Sequence, residues 1–406
     1  MKLMPLYPIG YLIFYFYVFF TICKKNKSLF NSYTVDSANE ILIRYIPFIL
    51  NIGIYVSNYH EAIILFFIIL YSSTLSKFIG YMLGSKISLR YKIIDEQLPY
   101  KKYKYKNLRK LCFIVGIIAF IFLGLNGVGV KEWIIDPRNA YMHGRSGNGI
   151  YYVLFQLSII ISAILFLCDL YYKREKKYRY IFWIIISYFT GSKMQILGII
   201  LIYFFYKDIF VRKINIKKTI IICVFGLVAV MALMFIQSNI TLLNYSDYYF
   251  NFIRLLDYSL NEKWTFFTGK ISLENVIWGL IPRALYPDKP YIYGYSKIIN
   301  IFYPEKVILD GNTPSFSQFC LAYVDFGVIG VCITFFFKGI LYGFLENYLR
   351  KRLNNKGMSF NVFFTYCICF IVSPLNFGII YFFIFYLVMH YIQAHWRGVK
   401  GLKFNL

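Results

Sequence analysis

Long apolar segments alternate with short polar segments along almost the whole chain. A segment of about 20 apolar residues is long enough to cross a bilayer as a helix. Such segments lie at 5–22, 39–57, 62–83, 111–130, 149–170, 219–237 and 316–337. Two further apolar stretches, 180–206 and 360–392, are interrupted by polar residues at 190–193 and 373–376.

Basic residues flank both ends of each interrupted stretch. Cytoplasmic connections are enriched in Lys and Arg, so both ends of each stretch are predicted to lie inside. The chain must then enter the membrane and return, as two short helices that meet at the polar break. The pattern predicts an all-α polytopic membrane protein of about 11 transmembrane segments, counting both broken pairs, with the N-terminus outside and the C-terminus inside.

Composition agrees with this prediction, because 59% of the 406 residues are hydrophobic and only 16% are charged. The net charge of +25 does not indicate a nucleic-acid partner, since the basic residues cluster in short connections, nine of them between 86 and 110. The interval 238–316 instead carries seven basic and seven acidic residues, a balance that is typical of a translocated loop. We predict one membrane domain, 1–406, with a first external loop at 131–148 and a long external loop at 238–316.

The first external loop contains D-P-R-N-A-Y-M-H-G-R-S-G-N-G at 136–149. Its glycines permit backbone conformations that other residues avoid, and Arg145 among them could present a planar fork to a phosphate. Arg138, Tyr141 and His143 are candidate substrate contacts in the same loop. The alternative is a flexible loop with solvated arginines.

The break in the stretch 180–206 reads T-G-S-K at 190–193. Free backbone N–H groups, a hydroxyl and a cation converge there, as at an anion-binding helix start. Lys193 is therefore a candidate functional charge at membrane depth. The alternative is a helix-breaking kink whose lysine extends towards the interface.

The long external loop contains I-P-R-A-L-Y-P-D-K-P at 281–290, where three prolines fix the backbone around charged residues. A short amphipathic helix, 273–281, is predicted before it, capped by Ser272 and carrying Glu274 in its first turn. The aromatic residues of the loop could stack on sugar rings or belong to the interfacial belt. The candidate site residues of the loop are Arg283, Asp288, Lys289, Arg254, Trp278 and Tyr286.

Asp325, Lys77 and Lys338 are charged residues within or beside predicted spans. Asp325 is placed near the middle of the span 316–337, where a carboxylate is expected to pair with a cation or be protonated. Lys77 and Lys338 are placed near cytoplasmic ends and are expected only to extend to the interface. No metal-ligand cluster or nucleotide-binding fingerprint is found, so no metal or cofactor is predicted.

The ordered motifs resemble those of the Wzy-type polymerases, which assemble bacterial O-antigen and capsular polysaccharide. They are D-P-R-N-A-Y with R-S-G-N-G, the broken T-G-S-K, I-P-R-A-L-Y-P-D-K-P, and G-N-T-P-S with Y-V-D-F-G-V-I-G, all within 131–330. The resemblance implies a GT-C-like fold and a metal-independent glycosyltransferase of the bacterial cytoplasmic (inner) membrane. Such an enzyme transfers a growing glycan from undecaprenyl diphosphate to a new lipid-linked repeat unit at the outer, periplasmic face. The resemblance also allows a chain-length regulator protein as a partner.

The family's external arginines correspond here to Arg145 and Arg283. Lys193 stands where the family often has arginine, which keeps the charge but loses the bidentate geometry. The resemblance thus implies that these three residues bind the diphosphate and stabilise the negative charge that develops on it as it leaves. The candidates for a general base are Asp288, Asp325, Glu274 and His143.

Two other functions remain open at this stage. An O-antigen ligase resembles this architecture and also transfers a glycan from undecaprenyl diphosphate. A transporter or flippase of lipid-linked oligosaccharides is the alternative from another class, although it is expected to show paired repeats and a shorter external loop.

Overall fold

The computed structural model describes residues 6–55, 58–90, 106–144, 148–211, 243–262, 264–281, 286–304 and 316–371, together with 381, 383–385, 387–388 and 391. Within these residues the regular elements are all helices. The predicted span at 219–237 and the predicted break at 373–376 lie outside the described residues.

The described α-helices are numbered here in chain order. They are α1 (Leu6–Asn26), α2 (Ser32–Asn39), α3 (Ile46–Tyr55), α4 (His60–Arg90), α5 (Lys106–Leu125), α6 (Val130–Ile135), α7 (Pro137–Gly144), α8 (Gly149–Tyr171), α9 (Ile181–Tyr188), α10 (Lys193–Tyr206), α11 (Leu243–Asn261), α12 (Lys270–Leu280), α13 (Tyr295–Phe302), α14 (Cys320–Lys356) and α15 (Phe360–Ile371). Two π-helices, Glu40–Tyr45 and Lys207–Val211, and the 3-10 helix Lys177–Tyr180 adjoin them.

Six helical segments within the described residues are long and apolar enough to cross a membrane. They are Leu6–Asn26, His60–Leu89, Lys106–Leu125, Gly149–Tyr171, Met194–Val211 and Cys320–Asn355. The part of the chain that the structure describes is thus all-helical, and its six long apolar helices are consistent with the predicted polytopic membrane protein. The predicted span at 39–57 is divided between the π-helix Glu40–Tyr45 and α3. The total of about 11 segments and the GT-C-like arrangement stay predictions.

The chain divides into two compact units, one formed by 1–90 and 215–347 and the other by 91–214 and 348–406. The core of the first unit is aromatic. Tyr249 and Phe252 on α11 are fully buried. The ring centroid of Phe66 on α4 lies 4.9 Å from that of Tyr249, and the centroid of Phe319 lies 5.8 Å from that of Phe252. Aromatic pairs at such distances favour tilted or edge-to-face packing, so α11 is part of the unit's interior.

Helices α4 and α14 approach each other closely within the first unit. Gly80 and Gly84 on α4 face carbonyl oxygens of α14, and Gly339 and Gly343 on α14 face carbonyl oxygens of α4. A Cβ at any of these four positions would overlap the facing oxygen. Glycines four residues apart on both partners permit this close packing of membrane helices.

In the second unit, α5 and α8 pack against each other along their lengths, and α9 and α10 pack against α8. The contact between α5 and α8 is tight, because a Cβ at Gly116 would lie 2.9 Å from the Cβ of Ser158. Helices α6 and α7 follow α5 and precede α8. This order places the first predicted external loop beside the ends of α5 and α8.

Candidate functional site

The predicted T-G-S-K break is a turn between two short helices, because α9 ends at Tyr188 and α10 begins at Lys193. The hydroxyl of Thr190 donates to the carbonyl oxygen of Ser187 at 2.7 Å and accepts from the N–H of Ser192 at 3.3 Å. These hydrogen bonds close the turn. The prediction of a broken helical pair at this position is confirmed.

Helix α7 of the first predicted external loop packs directly on this turn. Gly191 has a φ of +64°, and a Cβ there would overlap the carbonyl oxygen of Pro137 and lie 2.6 Å from the Cβ of Tyr141. Arg138 donates through Nη1 to the carbonyl oxygen of Gly191 at 3.5 Å. Two motifs that are about 50 residues apart are therefore one structural feature, and glycine at 191 is required for the contact.

The turn leaves the N-terminus of α10 open. Ser192, the N-cap residue, makes no side-chain hydrogen bond to the helix, and Lys193 is its first residue. The first N–H groups of a helix have no partner within the helix and carry partial positive charge. The backbone at this point is therefore favourable for an anion.

The other candidates of the first loop have separate surroundings. The guanidinium of Arg138 lies 5.3 Å from the ring centroid of Tyr141, whose own ring lies 5.3 Å from that of Tyr152. Arg138 and Tyr141 therefore hold α7 against its neighbours, and their contact with substrate stays a prediction. His143 is exposed, and Arg145 lies outside the described residues.

The predicted amphipathic helix of the long loop exists as α12, but it begins earlier than predicted. Its N-cap residue is Gly269 and its first residue is Lys270, so Ser272 is already inside the first turn. The prediction that Ser272 caps this helix is wrong. Its backbone N–H instead donates to a carboxylate from a distant part of the chain, Asp325.

Glu274 joins α12 to α13. It was predicted to lie in the first turn of α12, but it lies in the second turn. Its carboxylate accepts from Nζ of Lys297 at 2.7 Å and from the backbone N–H of Gly294 at 3.1 Å. Burial raises the pKa of Glu274, but the hydrogen bonds from Lys297 and Gly294 outweigh it and hold that pKa below its ordinary value. Glu274 is therefore committed to an ion pair within the protein.

Beyond α12, the described part of 281–290 presents an aromatic pair and a buried lysine. The rings of Trp278 and Tyr286 are stacked, with centroids 5.7 Å apart and an interplanar angle of 29°. Lys289 is only 9% exposed, donates to the carbonyl oxygen of Ile281 at 3.0 Å and lies 4.7 Å from the ring centroid of Tyr293. Asp288 is exposed. Arg283 lies outside the described residues.

Arg254 lies on α11 in the first unit. Its Nη1 donates to the hydroxyl of Tyr303 at 2.7 Å, and that hydroxyl donates to the side-chain oxygen of Asn251 at 2.5 Å. The guanidinium also lies 5.2 Å from the ring centroid of Tyr303. These contacts tie Arg254 to the segment after α13, and a role in substrate binding stays a prediction.

Asp325 is fully buried in the second turn of α14, not in the middle of a span. Its oxygens accept from the backbone N–H groups of Ile271 at 3.1 Å and Ser272 at 2.8 Å. Among the described residues it makes no ion pair with a cationic side chain, so the expected cation partner is replaced by the N-terminus of α12. Sequence alone did not indicate this contact, because the two partners are 53 and 54 residues away.

The chain is similar to two curated proteins named O-antigen polymerase, one from Salmonella typhimurium (strain LT2) and one from Salmonella typhi. Each is 28% identical over 296 residues, which cover 69% of this chain and 70% of the relative. This similarity supports an assignment to the Wzy-type polymerases. No family model matches it, and no solved structure matches it significantly.

The similarity to these polymerases confirms the resemblance drawn from the motifs. A relative of the O-antigen polymerases with several apolar helices is a multi-pass membrane protein of polysaccharide biosynthesis, and its activity is of the glycosyltransferase type. Within the described residues, no group of three or more His, Cys, Asp or Glu side chains is placed to hold one metal ion.

The first unit also holds a buried charge cluster that the sequence alone did not indicate. Asp36 forms ion pairs with Lys77 and, at 3.1 Å, with Lys338. Lys338 also donates to the side-chain oxygen of Gln318 at 3.1 Å. Burial raises the pKa of Asp36, but the two ammonium groups outweigh it and hold that pKa well below its ordinary value.

The prediction that Lys77 and Lys338 extend to the interface is wrong, because their side chains are only 7% and 9% exposed. The close crossing of α4 and α14 brings the two lysines together, and α2 supplies the carboxylate that compensates them. The sequence did contain one signal for this crossing, which is the pair of four-residue glycine spacings at 80–84 and 339–343.

Proposed function

We propose that the protein polymerises oligosaccharide repeat units carried on undecaprenyl diphosphate. It transfers the growing glycan by a metal-independent reaction at the outer face of the cytoplasmic membrane, and its product is O-antigen or capsular polysaccharide. A chain-length regulator protein acts with it. The observation that carries the proposal, beside the similarity to O-antigen polymerases, is the packing of α7 on the T-G-S-K turn, because that turn leads into a helix start whose N-cap side chain makes no hydrogen bond to the helix.

The leaving group of this reaction is a diphosphate, which gains negative charge as the glycosidic bond breaks. Cations and backbone N–H groups that are already in place stabilise that charge in the transition state. Lys193 and the N-terminus of α10 supply both in the second unit, and Arg145 follows directly after α7 in the sequence. We assign the diphosphate to these groups.

In the first unit, Arg283 is assigned to the same reaction as a further anion-binding residue. The segment around it has features that suit a lipid-linked sugar, because the stacked Trp278 and Tyr286 rings offer apolar faces with polar edges. Lys289 stabilises the turn after Arg283 through the carbonyl oxygen of Ile281.

The acceptor hydroxyl needs a base within hydrogen-bond reach. Glu274 is held in an ion pair with Lys297, and Asp325 accepts two backbone N–H groups. Asp288 and His143 are exposed. These contacts favour Asp288 or His143 as the general base and count against Glu274 and Asp325.

Arg283→Ala is expected to leave the protein in the membrane but to lower polymer formation by roughly 10- to 100-fold, because charge-assisted hydrogen bonds are lost. The measurement is the glycan ladder of a deletion strain complemented with either form, and the variant strain should show single repeat units without long polymer. Arg283→Lys should recover only part of the ladder, since lysine does not bind phosphate bidentately.

The matched control is Arg179→Ala, which removes an exposed arginine from a surface ion pair with Glu175 and should leave the ladder unchanged. A normal ladder in the Arg283→Ala strain would contradict the proposal. Long polymer stranded on its lipid carrier in the deletion strain would indicate a ligase instead. Repeat units accumulating on the cytoplasmic face would indicate a flippase.

A further inference from the structure

Asp325 acts as an external cap for the N-terminus of α12. Its two carboxylate oxygens accept from the N–H groups of Ile271 and Ser272 at 3.1 and 2.8 Å, and its side chain is fully buried. These N–H groups belong to the first turn of α12 and have no partner within that helix. The N-cap residue, Gly269, has no side chain that could serve them.

The backbone beside Asp325 binds the turn that precedes α12. The N–H of Phe267 donates to the carbonyl oxygen of Val324 at 3.1 Å. The N–H of Thr268 donates to the backbone carbonyl oxygen of Asp325, also at 3.1 Å. The turn is unusual, because Thr268 and Gly269 have φ values of 49° and 92°. Four hydrogen bonds thus join 267–272 to 324–325.

Two aromatic rings complete this junction. Gly327 has a φ of 63° and interrupts the helical backbone of α14. A Cβ at Gly327 would lie 3.1 Å from the ring of Phe266, and a Cβ at Gly269 would lie 3.1 Å from the ring of Phe326. Each glycine therefore faces a ring from the other segment. We call 266–272 together with 324–327 the clasp.

The clasp has a direct consequence for the segment after α12. Trp278 lies on that helix and its ring stacks on Tyr286, so the direction of α12 determines where this aromatic pair lies. A carboxylate that acts as general base must also have an oxygen within about 3 Å of the acceptor hydroxyl. Asp325 has both oxygens engaged and no exposed surface.

We propose that Asp325 is a positioning residue of the polymerase reaction. It orients α12, and with it the stacked rings of Trp278 and Tyr286, towards the lipid-linked substrate, and it transfers no proton. This inference rests on the proposed function, because that function assigns the two rings to the lipid-linked sugar.

The test compares Asp325→Asn with Gly269→Ala in the full-length protein, reconstituted with undecaprenyl-diphosphate-linked repeat units. Asparagine can accept only one of the two N–H groups, whereas Gly269→Ala keeps the carboxylate but strains the same clasp. Both variants are expected to raise KM for the repeat unit and to lower kcat/KM roughly tenfold. The shape of the pH profile should not change. The control, Gly279→Ala on the same helix, should be neutral because a Cβ there meets nothing within 4 Å.

A proton-transfer role gives a different result. Asp325→Asn would then lower kcat by about 10²- to 10⁴-fold and remove one limb of the pH profile, while Gly269→Ala would have no effect. That outcome would overturn the inference. Gly269→Ala also keeps the test informative if Asp325→Asn does not reach the membrane in normal amount.

A second readout does not depend on the reaction. Ile271 on α12 is 1% exposed, so cysteine at this position should react slowly with a membrane-impermeant maleimide, with the parent chain as the blank. Labelling is expected to become faster in both clasp variants. Unchanged labelling would overturn the positioning role even if the proposed function holds. Faster labelling with normal polymerisation would show that the orientation of α12 does not matter to the reaction. That result would also overturn the positioning role of Asp325.

Discussion

Gly191→Ala is expected to abolish long polymer. The added Cβ would overlap the carbonyl oxygen of Pro137, and the φ of +64° is unfavourable for alanine. Backbone strain of this kind costs about 1–3 kcal/mol, and overpacking against a backbone atom costs about 1–3 kcal/mol more. The contact between α7 and the T-G-S-K turn must open to relieve both. The measurement is again the glycan ladder, together with the amount of protein in the membrane.

The control for this change is Gly149→Ala in the same unit, where a Cβ meets nothing within 4 Å. This variant should give a normal ladder. A second comparison is Arg138→Ala, which removes only the hydrogen bond to the Gly191 carbonyl and is expected to have a smaller effect. A full-length ladder from Gly191→Ala would show that the contact between α7 and the turn is not needed for polymerisation.

Asp36→Asn is expected to destabilise the protein by about 3 kcal/mol, because it leaves two buried ammonium groups without their carboxylate. The side chains of Lys77 and Lys338 are 7% and 9% exposed, so water cannot replace the lost partner. The measurement is the thermal stability of the detergent-solubilised protein. It is read as the fraction of protein that stays monodisperse after heating.

The double variant Asp36→Asn with Lys77→Met should be more stable than Asp36→Asn alone, since one unpaired charge is removed and Lys338 keeps the side-chain oxygen of Gln318. Such non-additivity is the sign of a direct interaction. Lys86→Met is the control for loss of a lysine, because Lys86 lies at an exposed position on α4, the helix that carries Lys77. If Asp36→Asn melted like the parent protein, the ion pairs would not contribute to stability.

The local features of this chain were predictable from its sequence. Apolar length indicated membrane helices, and six segments of the required length and hydropathy are found in the described residues. Polar residues within the stretch 180–206 indicated the turn before α10, and the amphipathic pattern before 281–290 indicated α12. The ordered motifs also indicated the family. Each of these signals lies within a short window of sequence.

The partners of the buried charges were decided only by the tertiary structure. Lys77 and Lys338 were expected at the interface, but α4 and α14 cross so closely that both lysines meet Asp36, which is 302 residues from Lys338. Ser272 was the plausible cap of α12 by local rules, but the helix starts three residues earlier than predicted and takes its cap from Asp325.

The sequence by itself therefore determined where the long apolar helices lie, where the second unit's paired helices break and which family the chain resembles, because these properties follow from local hydropathy, turn chemistry and motif order. Only the tertiary structure decided that Gly191 receives the backbone of α7 and that Asp325 holds α12. Both contacts satisfy polar or steric requirements between segments about 50 residues apart. No local pattern encodes such a pairing, because each partner is compatible with many others until the helices are packed.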